Sequence, residues 1–174
     1  MLNKNWKTLS GVSISLRDAI ENEMSLYPNS EIHIGSDSQQ TNNNTKYVTV
    51  CIINRIGKGG RVFFCRETVP KIRELRERLW NEAWRSTTLA MELSETPDIG
   101  TRAPVSIAAI HIDANVDTRH KSSKYVEELV GLVMGQGFKA VVKPDSWAAS
   151  HAADHAVKHK DERKPKPLKI KGSK

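Results

Sequence analysis

Two aspartates stand where hydrophobic patterning has no reason to put them. Asp37 follows the apolar run of EIHIGSD, and Asp113 follows that of IAAIHID. Each run reads as a buried strand, so each carboxylate lies at a strand's far end. If the two strands are parallel neighbours, they lie about 5 Å apart. Carboxylates that close repel, and one takes up a proton unless a cation comes between them. A divalent ion such as Mg2+ relieves the repulsion, because hard ions prefer oxygen ligands. Either aspartate alone reads more readily as a cap or turn former, the commoner case; the two together point to metal chemistry.

Glu82 adds a third carboxylate. Leu75, Leu79, Ala83, Ser86, Ala90 and Leu93 follow the helical repeat, and Glu82 falls within their stripe. A glutamate facing a sheet is costly without a partner; the competing reading places it at the stripe's edge, paired with Arg78 or Arg85. Asp154 sits in AASHAADHAVK among Ala149, Ala152, Ala153 and Ala156, small residues that let a helix approach a sheet closely. His151 and His155 have the four-residue spacing of a zinc pair, but neither the glutamate of that motif nor a third soft ligand accompanies them. Trp84 and Trp147 read as core residues, with base stacking as the alternative.

The elements that position these residues follow from periodicity. Residues 13–27 carry a rough helical stripe that Ser13 or Ser15 caps and Pro28-Asn29-Ser30 ends. EIHIGSDSQQ reads as a short strand, followed by a polar loop of Thr and Asn. KYVTVCIINRIG and RVFFCRETV are rich in β-branched residues and join through Gly57-Lys58-Gly59-Gly60 as a hairpin. A long helix is expected from Lys71 to about Ser94, with Pro70 just before it. APVSIAAIHIDANV is almost continuously apolar, as befits a strand buried on both faces. KSSKYVEELVGLVMGQG is a helix ending in glycine, FKAVVKP a short strand, and DSWAASHAADHAVKH a last helix that Asp145 or Ser146 caps. The order of elements argues for one α/β domain over residues 1–157, with a mixed five-stranded sheet, flanking helices and an extra N-terminal helix.

The charge balance needs locating before it is used. Of the formal +7, residues 158–174 supply +6, with eight Lys/Arg against two Asp/Glu. That segment, KHKDERKPKPLKIKGSK, has two prolines and no periodicity, and reads as a basic, disordered tail. Such tails bind phosphate backbones without sequence preference; a merely solvated end is the alternative. No apolar run reaches the roughly 20 residues of a membrane span, and MLNKNWKTLSG lacks the apolar stretch of a secretory signal. Cys51 and Cys65 lack metal-ligand spacing and read as reduced, small apolar fillers. A cytoplasmic protein with no membrane partner is the expectation.

Taken in order and spacing, IHIGSDSQ, TVCIINRIGKGGRVFF, RLWNEAWRSTTLAMEL, HIDAN, VGLVMGQGF and KPDSWAASHAAD resemble the YkuK-like family of the ribonuclease H-like superfamily, over roughly residues 10–157. The resemblance implies the ribonuclease H fold, with strands one to three antiparallel and two further strands parallel to the first. It also implies an acidic cluster binding two Mg2+ or Mn2+ ions. By position, Asp37 matches the first-strand aspartate, Glu82 the glutamate of the first helix after the hairpin, Asp113 the fourth-strand aspartate and Asp154 the carboxylate of the final helix, with Asp145 a nearby competitor for that last place. The implied activity is hydrolysis of phosphodiester bonds in RNA or DNA by a two-metal-ion mechanism. Ser36, Ser38, Gln39 and Asn115, beside the ligands, carry groups able to meet a phosphate or 2′-hydroxyl. The alternative is a catalytically silent module of the same fold that binds nucleic acid or a protein partner.

Overall fold

Strand and helix follow the sequence pattern closely in the computed structural model, which describes residues 1–96 and 105–148. Asp154, His151, His155, the last helix beyond Ala148 and the basic tail lie outside the described residues. The elements are β1 (Trp6–Thr8), β2 (Ser13–Ile14), α1 (Leu16–Leu26), β3 (Glu31–Gln40), β4 (Asn44–Arg55), β5 (Gly59–Pro70), α2 (Leu75–Glu95), β6 (Ile107–Asn115), a short 3₁₀ turn (Ser123–Tyr125), α3 (Val126–Gly135) and β7 (Ala140–Lys143).

The sheet has seven strands, not five, in the order β2-β1-β5-β4-β3-β6-β7. The expected five are all present, with β3 antiparallel to β4 and parallel to β6. The correction lies at the N-terminus, where a small hairpin precedes the helix. β1 pairs antiparallel with the open edge of β5, setting Trp6 opposite Cys65, and β2 pairs with β1. These strands have three and two residues, too few for an alternating pattern to show. Gly11, at φ 87°, supplies the left-handed turn between them. The pairing buries Trp6 completely. The expected helix follows, capped by Ser15, whose hydroxyl accepts from the Asp18 N–H.

β3 spans the ten residues that the sequence pattern marks as a strand. All ten of its residues pair with β4, from Glu31 opposite Asn54 to Gln40 opposite Thr45. Its pairing with β6 ends earlier, at Gly35 opposite His111. Asp37 therefore lies within the antiparallel ladder but past the last parallel pair. Pro70 closes β5 rather than opening α2, whose N-cap is Glu74.

Alternation along the strands gives the sheet two different faces. On one, Ile32, Ile34, Cys51, Ile53, Phe63, Cys65, Ile110 and Ile112 pack against Leu16 and Ile20 of α1, Leu79, Ala83 and Leu89 of α2, and Leu129 and Val133 of α3. On the other, Val48, Val50, Ile52 and Phe64 form a smaller cluster with Ala148. Both cysteines are buried free thiols, and burial pushes Cys51 up to about 12 and Cys65 to about 11. They are therefore inert fillers rather than nucleophiles. Among the described residues no helix is long and apolar enough to cross a membrane.

Candidate acidic site at the strand ends

The register of β3 and β6 decides where the two aspartates fall. Gly35 lies opposite His111, and Asp37 and Asp113 each follow two residues further along their strands, past the last parallel pair. Two residues is one full pleat, and both side chains lie on the face that carries His33 and His111. Asp37 is half-buried, and its Oδ1 accepts the Ser38 N–H at 2.7 Å. Asp113 keeps 19% of its side chain exposed and forms an ion pair through Oδ1 with the ammonium of Lys143 on β7.

Glu82 approaches from the helix side. The stripe that sets α2 on the sheet turns it inward, leaving it 5% exposed. Burial pushes its pKa well above the usual carboxylate range. A bond from the Ser38 hydroxyl opposes that, while Asp37 and Asp113 push it further and Arg78 draws it back. Arg78 reaches the same Ser38 hydroxyl, at 3.5 Å. Arg85, the other partner weighed from sequence, turns elsewhere: it pairs with Glu67 at 2.8 Å and lies 3.9 Å from the Tyr47 ring centre.

The three carboxylates are thus electrostatically coupled at one end of the sheet but reach it from two faces. Among the described residues, no group of three or more His, Cys, Asp or Glu side chains is drawn together to hold a metal ion. The donor chemistry still suits a hard divalent cation: every acidic side chain of the cluster offers carboxylate oxygen, and the buried Glu82 is disfavoured as an anion by burial and by both aspartates.

The four polar residues beside the carboxylates separate. Ser36 is 1% exposed; its hydroxyl donates to Thr49 at 2.9 Å and accepts from Ser86 at 2.8 Å. That hydroxyl is spent inside the protein, under α2, and meets no solvent. Ser38 lies between Asp37, Arg78 and Glu82, and Gln39 is exposed on the following residue. Asn115 closes the turn after β6, its Oδ1 accepting the Asp117 N–H at 2.9 Å.

Three residues of this region escaped the sequence reading. Lys143 is one. The others are His33 and His111, on neighbouring strands, with His33 Nδ1 3.1 Å from His111 Nε2. Trp147 packs its ring about 5 Å from both imidazoles and is 39% exposed. Neither it nor Trp84, also 39% exposed and stacked on Trp80, is a core residue. A cavity of about 640 Å³ beside Trp80 and Tyr125 is lined by Glu74, Glu77, Glu128 and Arg76. It shares no residue with the acidic site, and its net negative lining is ill suited to a polyanion.

Comparison with known proteins bears on this architecture. A family described as "Ribonuclease H-like" matches residues 15–158. The chain is 28% identical over 138 residues to the uncharacterized protein YkuK of Bacillus subtilis (strain 168), covering 73% of this chain and 78% of that protein. No solved structure matches it.

Proposed function

The chain belongs to the ribonuclease H-like family, and from that premise we propose that it is a metal-dependent nuclease hydrolysing phosphodiester bonds of RNA or DNA. Asp37 and Asp113 hold the divalent ions, Mg2+ or Mn2+, with Glu82 as the third carboxylate and Asp154 as the fourth. When bound, a pair of such ions activates water and steadies the leaving oxygen. The protein's own part is to keep three carboxylates at one sheet end, to orient Asp37 through the Ser38 N–H, and to offer Ser38, Gln39 and Asn115 to the nucleic-acid backbone.

The observation that carries this reading is Glu82. A carboxylate 5% exposed, within electrostatic reach of two others, is an expense that packing alone does not explain. Magnesium-dependent cleavage of hybrids, junctions or single strands, lost in Asp37→Asn and in Asp113→Asn, is the expected result. No cleavage of any of these with Mg2+ or Mn2+ counts against it.

A second reading has one observation in its favour. The Lys143 ion pair with Asp113 suits a silent module in which an internal cation permanently replaces the metal, and nucleic acid is held by the basic segment 158–174. Binding would then fall steeply with salt, vanish on deleting that segment and ignore Asp37→Asn.

A further inference from the structure

The ion pair between Lys143 and Asp113 is placed by the sheet rather than by chance contact of surface chains. β7 runs parallel to β6, with Val141 opposite His111 and, past a shift of register, Lys143 opposite Asn115. Lys143 thus follows Val141 on the face that carries Asp113. Its side chain is 37% exposed, against 19% for Asp113. The ammonium has a route to water; the carboxylate has much less of one. On the other side of the sheet end, Arg78 is the cation facing Glu82. Among the described residues, Lys143 thus faces Asp113 from one side and Arg78 faces Glu82 from the other.

An ammonium on Asp113 occupies the space that a metal coordinated by Asp113 would need, and its charge repels a divalent ion. A lysine is suited to such a post because its flexible stem lets a compact charge swing out to solvent, whereas a guanidinium fork would lock on. We propose that Lys143 is a placeholder cation: it neutralises Asp113 in the metal-free protein and must leave before a divalent ion binds there. This rests on the metal site proposed above.

The test is Mn2+ binding to the full chain, read by the electron paramagnetic resonance of free Mn2+, with no substrate present. Lys143→Met and Lys143→Gln are compared with wild type and with Lys143→Arg. The neutral variants bind Mn2+ at least about tenfold tighter than wild type, equivalent to about 1.4 kcal/mol, and adding Asp113→Asn abolishes the gain. Lys143→Arg binds no tighter than wild type. A second readout is thermal: in chelator the neutral variants melt below wild type, and Mn2+ raises their melting temperature by more. Equal or weaker Mn2+ binding by both neutral variants, with wild type binding, overturns the placeholder and leaves the metal site standing. Binding by none of the proteins overturns the metal site itself. Binding by the neutral variants alone supports the placeholder and identifies the wild-type chain as the silent form.

Discussion

Lowering the pH from about 7.5 to about 4.5 favours the unfolded chain, because the folded protein holds a histidine pair built to refuse a proton. The hydrogen-bond pattern fixes both tautomers. The Trp147 backbone N–H can only donate, so His111 Nδ1, 3.4 Å away, accepts. The His111 proton therefore sits on Nε2 and is given to His33 Nδ1 at 3.1 Å. A further proton on His111 would face the Trp147 N–H donor to donor. Burial, then His33 and Lys139, lower the His111 pKa from 6.5 to about 4; burial lowers His33 too, against the pull of Glu31. Between those two values the unfolded chain binds a proton that the folded protein does not. Stability from His111 is thus complete above pH 6.5, falls as the pH drops and is gone near 4. At 1.36 kcal/mol per pH unit, the loss is at most about 3 kcal/mol. Urea unfolding in chelator, at pH steps across this window, measures it in wild type and in His111→Gln, whose amide still donates to His33. Titrating groups away from the pair cancel in the difference: Glu67 and Asp117 act with the same sign as His111, and Glu82, pushed upward, with the opposite one; His33, bonded to His111, is part of the effect measured. Two parallel stability curves, or a His111 resonance titrating near 6.5, would refute the reasoning.

Trp6→Ala removes the fully buried anchor of β1 and should cost about 3–5 kcal/mol in urea unfolding; a loss under about 1 kcal/mol would mean that the N-terminal strands are not part of the cooperative sheet. Ser36→Ala breaks the Ser86–Ser36–Thr49 chain and should cost about 1–2 kcal/mol, since the single Ser86 O–H can turn wholly to the Glu82 carbonyl. Nucleic-acid affinity of the folded Ser36→Ala variant should not change; a marked drop in a filter-binding or anisotropy assay would bring that hydroxyl into the site.

What could be read from sequence was what repeats. Asp37 and Asp113 stood out because a charge ending an apolar run breaks its pattern, and Glu82 because it interrupts a helical stripe that buries it to 5%. β1 and β2 escaped because three and two residues cannot display a period of two. Lys143 looked like any solvated lysine ending a short strand, since its partner depends on the β6–β7 register. His33 and His111, 78 residues apart, meet only through the parallel pairing of their strands. Ser36 is different, because the signal was available. It adjoins Asp37 in sequence, and neighbours along a strand point to opposite faces. Its place under α2, away from the aspartates, followed from the same alternation that identified the strand.

That alternation also explains how the acidic site is balanced. Asp37 and Asp113 lie on one face, with Lys143 paired to Asp113; Glu82 comes from the other, with Ser38 and Arg78. Burial and both aspartates push the pKa of Glu82 up, against the Ser38 hydroxyl and Arg78. Among the described residues, Lys143 is thus set against Asp113 and Arg78 against Glu82. A divalent ion held at Asp113, as proposed, would have to displace the Lys143 ammonium, so its affinity should depend on residue 143; equal affinity in wild type and Lys143→Met would break that link.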